Sequence, residues 1–264
     1  TPSDYGGYYL QLQSQTRFGR PCMLGKMRAV AAQGGVSGGT AASGLNLVKE
    51  AAADASLRES IRDPYSLCPD SDKVAAQPPP LIPVQYDPDF HAWVTPFVMA
   101  DVNTRVVLRS NFLQQQVYGK TFQYDEGIVT DDGPIGWLMA QGLKLGLDSL
   151  VLAAALPPTR WLLETFALPA SGAGPTAAEQ AQGFYELQFV GTTDTGDKVR
   201  VQVTGDRDPG YGSTAKILGQ AALCLAQDIP SSERGGFWTP ATLLSEALIK
   251  RLESFAGLAF TVLA

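Results

Sequence analysis

Apolar and polar residues alternate most clearly between Val199 and Thr204, where Val199, Val201 and Val203 oppose Arg200, Gln202 and Thr204. That period of two predicts a half-buried strand. After Gly205-Asp206-Arg207-Asp208-Pro209-Gly210-Tyr211-Gly212 the pattern changes. Ile217, Leu218, Ala221, Ala222 and Leu225 recur at helical spacing, which predicts a helix over Thr214–Ala226 with Ser213 and Thr214 at its cap. A helix end facing a glycine turn offers backbone N–H groups to an anion.

The same reading along the chain predicts helices at Tyr5–Phe18 (capped by Ser3 and Asp4), Ala41–Ala53, Phe97–Gln115 with Pro96 at its start, and Thr239–Ala256. Strands are expected at Lys26–Gln33, Thr121–Thr130, Phe184–Gly191, Lys198–Gly205 and Leu258–Leu263. Gly34–Thr40 reads as a second glycine turn, Asp63–Gln85 as a proline-rich crossover, and Ser171–Ala178 as a small-residue linker. Gly136–Leu168 is strongly apolar and reads as two helices broken at Pro157-Pro158. The expected class is mixed α/β: a largely antiparallel sheet covered by helices. The expected division is 1–33 as the end of one portion and 34–264 as a mixed α/β domain, with an apolar helical arm at about 136–168.

Composition narrows the chemistry. The 264 residues carry 20 basic and 26 acidic side chains, net −6, without a basic stripe, which disfavours nucleic acid as a partner. The single histidine, His91, excludes a His-rich metal site, and no G-x-S-x-G elbow accompanies it. Cys22, Cys68 and Cys224 are scattered, without metal spacing, as expected of a reducing compartment such as the cytosol or an organelle interior. The start, Thr1-Pro2-Ser3-Asp4, reads as the continuation of something longer.

Three features suggest binding. Arg105 and Arg109 interrupt an apolar helix with Asn103 and Asn111, and call for carboxylate or phosphate partners; structural ion pairs with Asp101, Asp125 or Glu126 are the equal alternative. Asp125 and Glu126 are adjacent in a strand, so they face opposite sides and form no acid/base pair. Gly210-x-Gly212-x-x-Ala215 matches the G-x-G-x-x-A dinucleotide fingerprint, but the lengthened loop before it and the absence of a following strand favour a plain helix turn. The third is the apolar stretch Leu143–Phe166, an arm for a protein partner, a second copy or a lipid surface. Lys144, Asp148, Arg160 and Glu164 divide it too finely for a transmembrane span.

Several blocks together resemble the saccharopine dehydrogenase-like oxidoreductases, and within them the trans-acting enoyl reductase branch. They are Pro2-Ser3-Asp4, Gly38-Gly39-Thr40-x-x-Ser43, Trp93-x-x-Pro96-Phe97-Val98-Met99-Ala100, Asn103-Thr104-Arg105-Val106-Val107-x-Arg109-Ser110, Tyr118-Gly119-x-x-Phe122-x-Tyr124-x-Glu126 and Val203-x-Gly205-Asp206-x-Asp208-Pro209-Gly210-Tyr211-Gly212-x-Thr214. The resemblance implies a Rossmann portion binding NADP or NAD, followed by a substrate-side α/β portion, and reduction of an enoyl or imine bond in a lipid-like or carbonyl substrate. This sequence lacks the leading strand and its G-x-G-x-x-G turn, so the chain alone is expected to bind nucleotide poorly or not at all. On that reading Tyr211 and Arg105 are the candidate catalytic residues. Asn103, Arg109, Gly38, Gly39 and Thr40 line the substrate. Ser3, Asp4, Gly210 and Gly212 touch the cofactor. The alternative is a non-catalytic structural or assembly subunit that docks through its apolar arm.

Overall fold

A computed structural model describes residues 1–34, 38–69, 83–167, 173–230, 232 and 235–263. Helix α1 (Pro2–Phe18) leads into strand β1 (Cys22–Gln33), then α2 (Gly38–Ala53) and α3 (Ala55–Arg62). Two short strands, β2 (Gln85–Asp87) and β3 (Ala92–Pro96), precede α4 (Ala100–Leu113) and β4 (Gln123–Val129). The apolar region folds as α5 (Gly133–Ala155) and α6 (Pro157–Leu162), which continues as a π turn, Leu163–Ala167. After α7 (Ala177–Gln182), strands β5 (Phe184–Thr193) and β6 (Lys198–Gly205) form a hairpin. Then come α8 (Gly212–Gln227), α9 (Pro240–Leu243), α10 (Ser245–Arg251) with its π turn Leu252–Ala256, and β7 (Leu258–Leu263).

The strands form one sheet in the order β2-β3-β4-β1-β5-β6-β7. Every pair is antiparallel except β1–β4, where Lys26 lies beside Asp125 and Met27 beside Glu126. The expected antiparallel α/β sheet is therefore present, and its five anticipated strands are neighbours. Strand β1 belongs at its centre, between strands drawn from residues 85–129 and 184–263.

Alternation on β1, β4, β5 and β6 separates two faces. Met27, Tyr124, Phe189, Val201 and Val203 are buried with Tyr5, Leu10, Val107, Ile217, Leu248 and Leu252, which come from α1, α4, α8, α10 and the final π turn. Full burial of side chains this size is worth roughly 1.5–3 kcal/mol each, and this layer is the core. On the opposite face, Arg28 is fully buried and donates to Asp87 Oδ2 from Nε (3.1 Å) and Nη2 (2.9 Å), and also to Asp125. Lys26 bridges Asp87 and Asp89, at 3.2 and 2.8 Å. Phe90 lies under both Arg28 and Arg200, 5.8 and 5.6 Å from its ring centre. This network pins the β2–β3 turn to the sheet. Burial pushes the Asp89 carboxyl up, but hydrogen bonds from Lys198 and Lys26 outweigh it and hold the group down at about 2.

Local departures from the sequence reading have steric or hydrogen-bonding causes. Pro96 starts no helix. It ends β3 beside Gly127, an allowed place because proline ends strands readily, and α4 begins at Ala100. Helix α1 starts at Pro2, so Ser3 and Asp4 lie inside its first turn and are buried rather than capping it from outside. The final helical stretch breaks at Ser245, whose φ is 44°, into α9 and α10. Gly35–Ser37, 70–82 and 168–172, parts of the anticipated turn, crossover and arm, lie outside the described residues.

Candidate functional site

The anticipated site residues fall into two groups. The first gathers where β1 and β6 end and β5 begins, an alignment set by the pairs Gln33–Phe184 and Tyr185–Gly205. Here Asp208 is fully buried. Its Oδ1 accepts the Gly210 N–H at 3.1 Å, and its Oδ2 accepts those of Tyr211 at 2.7 Å and Gly212 at 2.9 Å. The Asp208 carbonyl accepts from Ser213 N at 2.8 Å. The carboxylate thus caps α8 from outside the helix, in place of the expected Ser213 and Thr214 side chains.

Glycines make room for this arrangement. A Cβ on Gly34 would stand 2.6 Å from Asp208 Oδ1, and one on Gly183 would stand 2.4 Å from the Asp208 backbone. Neither Gly210 nor Gly212 adopts positive φ. Gly212 is instead confined by neighbours, since a Cβ there would lie 3.1 Å from the Gln180 carbonyl oxygen.

Tyr211 sits at the N-cap of α8, 38% exposed, with its ring against Gly174. Its hydroxyl has no hydrogen bond among the described residues. Gly38 N donates to Ala173 O at 2.9 Å, so the start of α2, carrying Gly39 and Thr40, is tied to the same 173–174 segment. Tyr211, Gly210, Gly212 and Gly38–Thr40 therefore share one end of the sheet. Chemically this end offers a half-exposed phenol on a rigid turn, a group able to give a proton to carbon or oxygen.

The second group is buried between α1, α4 and β4. Glu126 accepts from Asn103 Nδ2 and from the Tyr124 hydroxyl, each at 2.8 Å, and from the Ser3 hydroxyl. Burial pushes its carboxyl up to about 7, with these three donors opposing the shift. Asp4 accepts from Ser110 and, at 3.1 Å, from Ala241 N, while Ser110 and Thr239 hydroxyls stand 2.6 Å apart. Burial raises the Asp4 carboxyl too, against those two hydrogen bonds. Asn103, Ser3 and Asp4 are thus part of a polar seam inside the molecule.

Among the described residues, Arg105 and Arg109 make no ion pair with Asp101, Asp125 or Glu126. Arg105 donates to the carbonyls of Ile61 and Asp63, and Arg109 to those of Leu67 (2.9 Å) and Phe237 (3.4 Å). The two guanidinium groups lash the segment after α3 to α4. No hydrogen bond or ring contact links them, or Asn103, to Tyr211 among the described residues.

The cofactor residues do not fit a dinucleotide as they stand. The Gly210 and Gly212 amides that a pyrophosphate needs are taken by Asp208. Ser3 and Asp4 are buried in hydrogen bonds of their own. Sequence reasoning passed over the Lys26–Arg28–Asp87–Asp89 network and the Tyr124–Glu126 pair. The first was signalled by two cations at alternate positions of an otherwise apolar strand.

No family model matches the chain, and no solved structure does. Curated proteins do. A Mycobacterium tuberculosis protein provisionally named a trans-acting enoyl reductase is 34% identical over 230 residues, covering 83% of this chain and 55% of that protein. The trans-acting enoyl reductase of Mycobacterium bovis is 32% identical over 265 residues, covering 95% of this chain and 62% of its own. That of Mycobacterium leprae is 32% identical over 271 residues, covering 96% and 63%. Through most of its length this chain is a relative of trans-acting enoyl reductases, and it spans 55% to 63% of the length of these three.

Proposed function

We propose that residues 1–264 form the substrate-side part of an enoyl-reducing oxidoreductase of the saccharopine dehydrogenase-like type. The reaction would add a hydride to the β-carbon and a proton to the α-carbon of an α,β-unsaturated acyl group, consuming the C=C π bond. The relatives' name gives an enoyl group as substrate; a lipid-like acyl chain is the class proposed for it here. The hydride donor class is a reduced nicotinamide dinucleotide. With the Gly210 and Gly212 amides already taken by Asp208, we assign its binding to the part of the relatives' length that this chain does not span.

What this chain supplies is orientation and a proton. The observation that carries the reading is Tyr211: half-exposed, with an uncommitted hydroxyl, on a turn locked by three hydrogen bonds to Asp208. A donor held this way loses little entropy on protonating an enolate carbon beside it. The Gly38–Thr40 start of α2 lines the same end of the sheet and borders the acyl group.

The test uses the full-length protein, a 2-enoyl thioester and reduced nicotinamide, followed by loss of the reduced-nicotinamide absorbance. Tyr211→Phe should lower kcat about a hundredfold, with the unfolding midpoint unchanged. Undiminished kcat in that variant removes Tyr211 from the chemistry, and no turnover by the unaltered protein on any enoyl thioester overturns the reading as a whole.

A further inference from the structure

Helix α5 is 23 residues long and apolar enough, by length and composition, to cross a membrane, yet only 11% of its most apolar window is buried. Its contacts are confined to one strip. Thr130 and Thr95 hydroxyls donate to the carbonyls of Gly136 (2.9 Å) and Ala140 (3.0 Å), and the buried positions are Gly136, Ala140 and Ala154. Projected down the helix axis, those three share one sector. Exposed Ile135, Met139, Leu145, Leu150, Val151 and Leu152, with their neighbours, occupy all but about 80° of the circumference.

That distribution separates the possible occupants. A protein groove or a second copy buries one stripe of a helix; here the apolar surface spans most of the circumference, broken by Gln141, Lys144 and Asp148 in one narrow sector, as suits a helix lying in an apolar medium with one side toward water. The arm's far end adds to this. Trp161 and Phe166 are 59% and 75% exposed and lie edge to face, 6.0 Å apart. Trp161, an amphipathic aromatic, is of the kind that favours the membrane–water interface, and Phe166 adds apolar surface beside it. Beside them a groove of about 530 Å³ is lined by Lys49, Pro157, Arg160, Trp161 and Glu164 among others. Arg160 Nε is buried there without a hydrogen-bond partner. Two cations next to an interfacial aromatic complement the phosphate of a lipid headgroup.

Anchoring limits the depth. With Gly136 and Ala140 fixed to the domain, residues 141–155 rise only about 22 Å, short of the roughly 30 Å hydrocarbon thickness. The ion pair between Lys144 and Asp148 also lies on this stretch. We propose that α5 and α6 dock the protein on a phospholipid bilayer, lying along the surface of one leaflet rather than crossing it, with Lys49 and Arg160 at headgroup level. This stands independently of the enoyl-reducing reading.

Co-sedimentation of the full-length protein with phosphatidylcholine vesicles, with and without phosphatidylglycerol, tests it. The protein should bind both. The Leu145→Ser/Leu152→Ser double variant should bind at least about tenfold more weakly, and Phe166→Ser, at the exposed end, should weaken binding as well. All three positions are solvent-exposed, so circular dichroism and the unfolding midpoint should not change. Absence of binding to either vesicle overturns the proposal, as does binding that both variants leave intact. A dimer that the same substitutions dissociate, without vesicle binding, assigns the face to a second copy instead.

Discussion

The Asp208 carboxylate holds Tyr211 in place, accepting its backbone N–H at 2.7 Å while leaving its phenol at the surface. Position and chemistry are thus divided between two residues three apart. Asp208→Ala should cost about 2–3 kcal/mol, since it strands buried amides and removes a helix cap. Urea unfolding measures this; a midpoint like that of the unaltered protein would mean that water replaces the carboxylate.

Glu126 makes stability depend on pH. The folded chain holds its proton to about pH 7, whereas the ordinary value is 4.5. The stabilising contribution is therefore complete below about 4.5 and disappears as pH rises through about 7. Asp4, raised in the same direction, adds to the trend. Glu126→Gln removes the ionisation, so stability should fall less steeply between about pH 5 and 8. At about pH 8 the variant should be the more stable by roughly 2–3 kcal/mol. Parallel pH curves for the two proteins would show that Glu126 ionises freely when folded.

Gly6 sets helix propensity against packing. Alanine is better than glycine within a helix by about 1 kcal/mol. However, a Cβ at Gly6 would stand 2.0 Å from the ring of Phe189, itself fully buried. Overpacking typically costs about 1–3 kcal/mol, and this overlap is severe, so Gly6→Ala should destabilise. A higher melting temperature for the variant would mean that the ring moves aside cheaply.

Arg28 holds Asp87 and Asp125 from a position without solvent exposure. Arg28→Met takes the guanidinium from Asp125 and leaves Asp87 to the Lys26 ammonium, and should cost about 3–5 kcal/mol. Arg28→Lys should recover only part, because one ammonium cannot reproduce the guanidinium fork. Full recovery by lysine would reduce the network to simple charge balance.

The strands were legible because burial on one face writes a period of two into Val199–Val203 and Phe122–Glu126. The break in the apolar region was legible because Pro157 removes a donor and clashes with the preceding turn. Pro96 misled because proline fits a strand end as well as a helix start. Arg105 and Arg109 misled for another reason. Their charge suggested anionic partners, but backbone carbonyls supplied by Ile61, Asp63 and Leu67, about forty residues earlier, satisfy them. Asp208 was readable as an acceptor within its turn. That it would use up the amides of the glycine motif depended on its full burial, which sequence spacing does not reveal.

Strand β1 is the sole strand that pairs with both β2-β3-β4 and β5-β6-β7 among the described residues. The sheet is thus two leaves hinged on a single spine, and the spine lies near the start of the chain. A peptide beginning after Gln33 would carry both leaves without the strand that pairs them, held across the gap by side-chain links such as Lys198 and Arg200 to Asp89. Severed after Gly34, the first segment should stay associated with the remainder as an inserted strand. Supplied separately, it should restore the fold to a chain lacking it.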